Sequence, residues 1–232
     1  MPSSALSISS HDGKTFDAYL SLPPTGKGPG LVLIQEIWGV NAHIRAVADQ
    51  YAMDGYVVLA PDVFWRQEPK VDLNYDEVGT QKAYQLMNGL DGPNAVKDLV
   101  AASVALRARV EVTGKVGVVG YCMGGRLSYH LAATGAVDTA VCYYGGGIQN
   151  VLAEAPNVRV PILFHYGALD AHIPSSAVDA VKAAFAGHSS AQFHVYAGAD
   201  HGFNCWGRPM YNQRAAALAR GRTLEWLSAH LG

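Results

Sequence analysis

Cysteine is scarce: three residues in a chain of 232. An odd number cannot pair completely, and Cys122, Cys142 and Cys205 show no paired spacing of the kind that builds a metal site. A disulfide framework and a cysteine-based metal centre are therefore not expected, and no cofactor is called for. A free thiol is best kept in a reducing compartment, so a cytoplasmic location is the expectation. Excess charge is also missing. Lys plus Arg number 17 against 19 for Asp plus Glu, which gives no basic patch by composition, so nucleic acid is not an expected partner. No apolar run approaches the roughly 20 residues needed to cross a bilayer, so no membrane association is expected. The first residues, Met-Pro-Ser-Ser-Ala and then Ser10-His11-Asp12-Gly13, lack a basic end and an apolar core, so no cleaved secretory signal is expected. Repeats, linker-like stretches and exposed apolar periodicities are absent too. One domain over residues 1–232, acting as a monomer on a small molecule, is the simplest organisation.

What is present is a regular alternation. Half of the residues are hydrophobic, enough for a sizeable core. Phe16 to Leu20 alternates like an edge strand and is followed by a Gly/Pro-rich turn from Pro23 to Gly30. Its connection to the next run is too short for a crossover helix, which predicts antiparallel pairing there. Leu31–Ile34, Tyr56–Ala60, Val116–Val119, Thr139–Tyr144, Pro161–His165 and Ala191–Tyr196 read as strands. Residues His43–Met53, Asn94–Arg109, Met123–Thr134, Ser175–Phe185 and Met210–Leu227 have helical periodicity. Residues 62 to 94 are the least regular, a long loop with a short helix near Val78 to Met87. Continuous apolar strands alternating with helices predict an α/β fold: a mostly parallel sheet covered on both faces, in three layers.

Gly120-Tyr121-Cys122-Met123-Gly124-Gly125 lies between a predicted strand and a predicted helix. Gly-x-nucleophile-x-Gly at such a junction is the pattern of a nucleophile elbow, here with cysteine in place of serine. The glycines permit close backbone approach, and the following helix N-terminus favours a thiolate. The competing reading is a buried structural cysteine beside a glycine-rich turn. A dinucleotide-binding turn does not fit, since Gly117-x-x-Gly120 lacks the spacing.

A thiolate nucleophile needs an imidazole, and that imidazole an orienting carboxylate. Of nine histidines, His201 has the best context, in the loop Gly198-Ala199-Asp200-His201-Gly202-Phe203 after the last strand. His165, at a strand end, is a core or a pocket residue. Asp170 follows the penultimate strand and ranks above Asp200, whose position next to His201 gives the wrong direction. Cys122, Asp170 and His201 then occur in the chain order nucleophile, acid, histidine of an α/β-hydrolase fold. Glu36 follows Leu31–Ile34 directly. It either holds the cysteine proton or is a solvated loop-end carboxylate. Ile37 and Met123 are the natural backbone N–H donors of an oxyanion hole. Trp38, Tyr84, Tyr144, Cys205 and Trp206 are the candidates for the substrate pocket, with Trp65 as a further aromatic. Asp170 and His172 make a partial metal pair that has no third ligand.

Taken together, Gln35-Glu36-Ile37-Trp38-Gly39-Val40-Asn41, Pro61-Asp62, the elbow, Tyr143-Tyr144-Gly145, Gly167-x-x-Asp170 and His201-Gly202-Phe203 resemble the dienelactone hydrolase family. The resemblance implies Cys122, Asp170 and His201 as triad. It implies Glu36 as an internal carboxylate that contacts the cysteine and helps form the thiolate when substrate binds. It also implies opening of the lactone ring of 4-carboxymethylenebut-2-en-4-olide to maleylacetate in the degradation of chlorinated aromatics. Two substrate-binding arginines of the family prototype have no counterpart. One would fall within Glu77-Val78-Gly79-Thr80-Gln81, and the other falls at Cys205. Lys82 and Arg208 are the nearest replacements in sequence. The chemistry expected is hydrolysis of lactones or small carboxylic esters. The alternatives are esterase or acyltransferase action on an uncharged ester or thioester and, more remotely, a binding module without catalysis.

Overall fold

The computed structural model describes residues 3–232; Met1 and Pro2, part of the start read against a secretory signal, lie outside the described residues. Eight strands form one sheet in the order β1-β2-β4-β3-β5-β6-β7-β8. They are β1 Ser3–Ser9, β2 Thr15–Ser21, β3 Gly28–Ile34, β4 Val57–Pro61, β5 Val112–Tyr121, β6 Thr139–Tyr143, β7 Ile162–Gly167 and β8 Ala191–Tyr196. The helices are α1 Ala42–Met53, α2 Glu77–Asn88, α3 Gly92–Arg107, α4 Met123–Thr134, α5 Ser175–Ala184 and α6 Gln213–Leu231. From β4 to β8 the strands run parallel, and every residue of β4, β6 and β7 is buried. That double burial explains their unbroken apolar sequence.

Successive side chains alternate between faces. The open position at Gly117 meets Leu231 of α6, whereas that at Gly120 meets Ser128 of α4. Thus α6 and α4 cover opposite faces. Arg220 of α6 pairs with Asp54 at the end of α1, joining those two helices on one side.

Two expectations need correction. The strand at Phe16–Leu20 is not the edge, because β1 pairs along its whole length. β1 is mostly exposed and serine-rich, so it carries almost no hydrophobic alternation to read. The antiparallel direction of β2 holds, but its partner is β4 rather than the adjacent β3. β3 is claimed on both sides by β4 and β5.

The first layer of the sheet is fastened by a polar network. Arg66 donates from Nε to Asp98 Oδ2 at 2.7 Å and from Nη1 to Asp12 Oδ2 at 2.7 Å. Ser10 Oγ and Trp65 Nε1 also donate to Asp98, at 2.6 and 2.9 Å. Trp65, stacked on Phe16, therefore serves packing. His165 is likewise a core residue: its Nδ1 meets the Tyr196 hydroxyl at 2.8 Å and its Nε2 meets Thr223 Oγ1 at 3.0 Å.

Candidate active site

The carboxyl ends of β3, β5, β6, β7 and β8 converge on one cavity. Ligands of open α/β sheets bind at this edge. At its floor the chain turns from β5 into α4 through Cys122, whose φ of 56° and ψ of −115° put a non-glycine residue in a strained conformation. Glycines make the turn possible. A Cβ at Gly120 would collide with the Gly124 carbonyl, one at Gly124 with the Ile34 and Gln35 carbonyls, and one at Gly125 with the Tyr143 carbonyl. The helix therefore seats directly on the ends of β3 and β6. Cys122 N donates to Tyr143 O at 3.0 Å, which fixes the turn.

The turn presents Cys122 Sγ to His201 Nε2 at 3.0 Å. His201 Nδ1 lies 2.7 Å from Asp170 Oδ2. The other oxygen of Asp170 accepts from His172 N at 2.9 Å and Ile173 N at 3.1 Å, so backbone donors orient the carboxylate. Asp200 instead accepts from the His201 backbone N–H, at 2.6 Å. Burial disfavours a charged His201, but the neighbouring Cys122 sulfur and Asp170 carboxylate outweigh it and hold the imidazole up at about 10.

Ile37 and Met123 both line the cavity beside Cys122. Met123 opens α4, where backbone N–H groups have no partner within the helix. The loop carrying Ile37 and Trp38 is pinned by Leu73 N to Trp38 O at 3.0 Å and by Asn41 Nδ2 to Leu73 O at 3.2 Å.

Glu36 is 1% exposed, and neither carboxylate oxygen has a hydrogen-bond partner among the described residues. It does not bond Cys122; the sulfur meets His201 instead. Burial pushes the Glu36 carboxyl up, opposed by the charges of Arg208 and His201 and by Tyr144 and Cys205. Arg208 Nη1 is 3.9 Å from Glu36 Oε1, and its guanidinium stacks on Trp38 at 4.5 Å.

The cavity measures about 350 Å³, within the size range of small-molecule sites. Trp38 and Tyr84 line it as expected, whereas Tyr144, Cys205 and Trp206 do not. Tyr144 is fully buried beneath the site, its ring 5.2 Å from His201. Cys205 is also fully buried, and burial followed by the Glu36 charge pushes its thiol up to about 11. Trp206 turns outward against His43, 4.1 Å between ring centres. Lys82 pairs with Glu68 at 2.6 Å and is not part of the lining. Six lining residues had no role in the site as read from sequence: Met87, Arg126, Gly146, Gly147, Gln149 and Asn150. His172, considered there only as half of a partial metal pair, lines the cavity and meets the His201 ring edge-to-face at 5.1 Å. No cluster of three or more metal-ligating side chains occurs among the described residues.

A mostly parallel sheet with an elbow after β5, an acid after β7 and a histidine after β8 defines an α/β hydrolase. A Penicillium α/β hydrolase shares the fold at a TM-score of 0.73 and 14% identity, over 100% of this chain and 99% of its own. Closer likenesses narrow the class. The chain belongs to the dienelactone hydrolase family, whose model matches residues 16–231. Carboxymethylenebutenolidases of Pseudomonas putida and Pseudomonas knackmussii are each 38% identical over 98% of this chain and 97% of their own. A Klebsiella pneumoniae structure with a provisional dienelactone hydrolase designation superposes at a TM-score of 0.87, with 27% identity over 99% of both chains. The protein is thus a hydrolase of the dienelactone hydrolase type. No helix among the described residues is long and apolar enough to cross a membrane.

Proposed function

We propose that the protein is a cysteine-dependent hydrolase of lactones or small carboxylic esters that carry a carboxylate. The observation that carries this reading is the chain of contacts from Cys122 Sγ to His201 at 3.0 Å and from His201 to Asp170 at 2.7 Å, at the floor of a cavity. The Cys122 thiolate attacks the carbonyl carbon, and a C–S bond forms as the carbonyl π pair moves to oxygen. The Ile37 and Met123 N–H groups hold that oxyanion. When it collapses the C–O bond breaks, and the leaving oxygen takes a proton from His201. In a lactone the leaving oxygen stays tethered to the acyl group. His201, now neutral, takes a proton from water. The water oxygen attacks the thioester, and the sulfur leaves. Glu36 is read as the internal carboxylate that helps form the thiolate: its charge attracts the His201 imidazolium, which holds the thiol proton.

Arg208 substitutes for the missing family arginines. It lines the cavity, and its Nη1 lacks a hydrogen-bond partner among the described residues. A guanidinium offers a carboxylate the bidentate geometry that lysine cannot. Dienelactone, opened to maleylacetate, fits this requirement and is the substrate type named by the carboxymethylenebutenolidase relatives. Three unpaired thiols suit a reducing, cytoplasmic setting.

The test is a substrate panel. Dienelactone, neutral lactones and neutral aryl esters are assayed with the wild-type protein and with Cys122→Ala and Cys122→Ser. Turnover of the acidic lactone above the neutral ones, abolished in Cys122→Ala, is the expected result. Retained turnover in Cys122→Ala at this cavity sinks the reading.

A further inference from the structure

We infer that Arg126 is a specificity-determining residue that binds a second carboxylate on the substrate, so that the site selects dianionic esters and lactones. Arg126 sits in the first turn of α4, directly after the elbow. That is the positive end of the helix, where a cation is disfavoured. Arg126 is half-buried, and no carboxylate lies within ion-pair distance of it among the described residues. Its guanidinium packs over Gly147, where an added Cβ would come within 2.9 Å of Nη1. The absence of a side chain at Gly147 leaves the space that the guanidinium occupies.

The cavity contains two arginines and two histidines, Arg126, Arg208, His172 and His201, and no Asp or Glu lines it. The sheet order separates the two arginines. Arg126 and Gly147 form the wall on the β6 side of β5, whereas Arg208 is stacked on Trp38, in the loop after β3 on its other side. Cys122 follows β5, between them. Gln149 lies on the Arg126 wall and accepts from Gly147 N at 3.1 Å through Oε1, which leaves its amide N–H groups to donate. A substrate with an acidic group on each side of the scissile carbonyl meets one guanidinium at each end.

This inference rests on the proposed hydrolysis at Cys122, and the experiment separates the two. Four aryl esters form a square: phenyl butyrate, phenyl hydrogen succinate, carboxyphenyl butyrate and carboxyphenyl hydrogen succinate. The readout is kcat/KM for the dianion relative to the better monoanion, in the wild type, Arg126→Ala and Arg126→Lys. Comparing the same ratio across variants cancels leaving-group electronics. The wild type is expected to prefer the dianion. Arg126→Ala is expected to lower the preference by roughly tenfold to hundredfold, mainly through KM, the loss typical of a charge-assisted hydrogen bond. Arg126→Lys should retain part of it. Calorimetric binding of glutarate against butyrate gives the same comparison without chemistry. No dianion preference in the wild type, or a preference within twofold of wild type in Arg126→Ala, overturns the inference. So does an equal loss for all four esters, which marks a structural role. Turnover that survives Cys122→Ala overturns the nucleophile assignment alone, because the glutarate comparison is independent of it.

Discussion

Replacing Asp170 with asparagine tests the electrostatic core of the site at nearly constant shape. Backbone donors at His172 and Ile173 hold one carboxylate oxygen, at 2.9 and 3.1 Å. An asparagine must keep its oxygen there, which points its NH₂ at His201 Nδ1. That nitrogen then has to accept, and the neutral ring carries its proton on Nε2, facing Cys122. The ring can no longer take a proton from the thiol. The charge effect adds to this. His201 is held at about 10 against an ordinary 6.5, which corresponds to roughly 5 kcal/mol in favour of the imidazolium. Cys122 and Asp170 share that effect, so removing one charge forfeits roughly half, a factor of the order of a hundred. With the wrong tautomer included, kcat for an activated ester should fall by about 10²–10⁴. The pH dependence of Cys122 alkylation by iodoacetamide gives a second readout. The limit set by loss of the imidazolium should move from near 10 toward 6.5. A folded-state value raised above the unfolded one stabilises fully below 6.5 and ceases to do so as pH passes 10. The stability deficit of Asp170→Asn should therefore be largest at neutral pH and below, and close in strong alkali. A kcat within threefold of wild type, with an unchanged alkylation profile, refutes the assigned roles.

Glu36→Gln should lower kcat while raising stability at pH 8 by about 1–2 kcal/mol, read by thermal unfolding, because burial without a hydrogen bond outweighs the Arg208 charge 3.9 Å away and leaves the ionised carboxylate net unfavourable. Glu36 has a raised folded-state value, so its cost grows as pH rises above its unfolded value, and the gain should vanish near pH 4. Acid should destabilise the protein as pH falls from 6.5 to 4. Burial, aided by the Arg208 charge, holds His43 down to about 4, worth about 3 kcal/mol across that window, and His43→Gln should flatten the denaturation midpoint against pH. Gly124→Ala drives a Cβ into the Ile34 and Gln35 carbonyls and should displace the Met123 N–H, costing about 1–3 kcal/mol in urea unfolding and most of the activity. Arg66→Ala strands the buried carboxylate of Asp98 and should destabilise by about 3 kcal/mol with kcat little changed.

The parts of the site that were legible in sequence are those set by local geometry. Cys122 is bracketed by glycines because α4 must touch two strand ends, and that need is written within six residues. Asp170 and His201 each follow an apolar strand run, so the parallel order carries them to one edge. The walls of the cavity were legible only in part, at Trp38 and Tyr84, because the rest comes from loops after several different strands. Trp206 lies beside a matching position yet turns outward onto His43. Arg126 reads as an ordinary charged helix residue. Its one signal is placement, a cation in the first turn of the helix that follows Cys122. β1 escaped notice because its pairing is a property of its backbone, not of its exposed serines.

The proposed hydrolysis requires an acyl-enzyme on Cys122. Rapid quenching of a slow aryl ester with the protein, followed by intact mass measurement and peptide mapping, tests it most directly. One acyl group on Cys122, bound as a thioester and absent from the buried Cys142 and Cys205, is the predicted result. Turnover with no acyl adduct on Cys122, or with the adduct on another residue, contradicts the account.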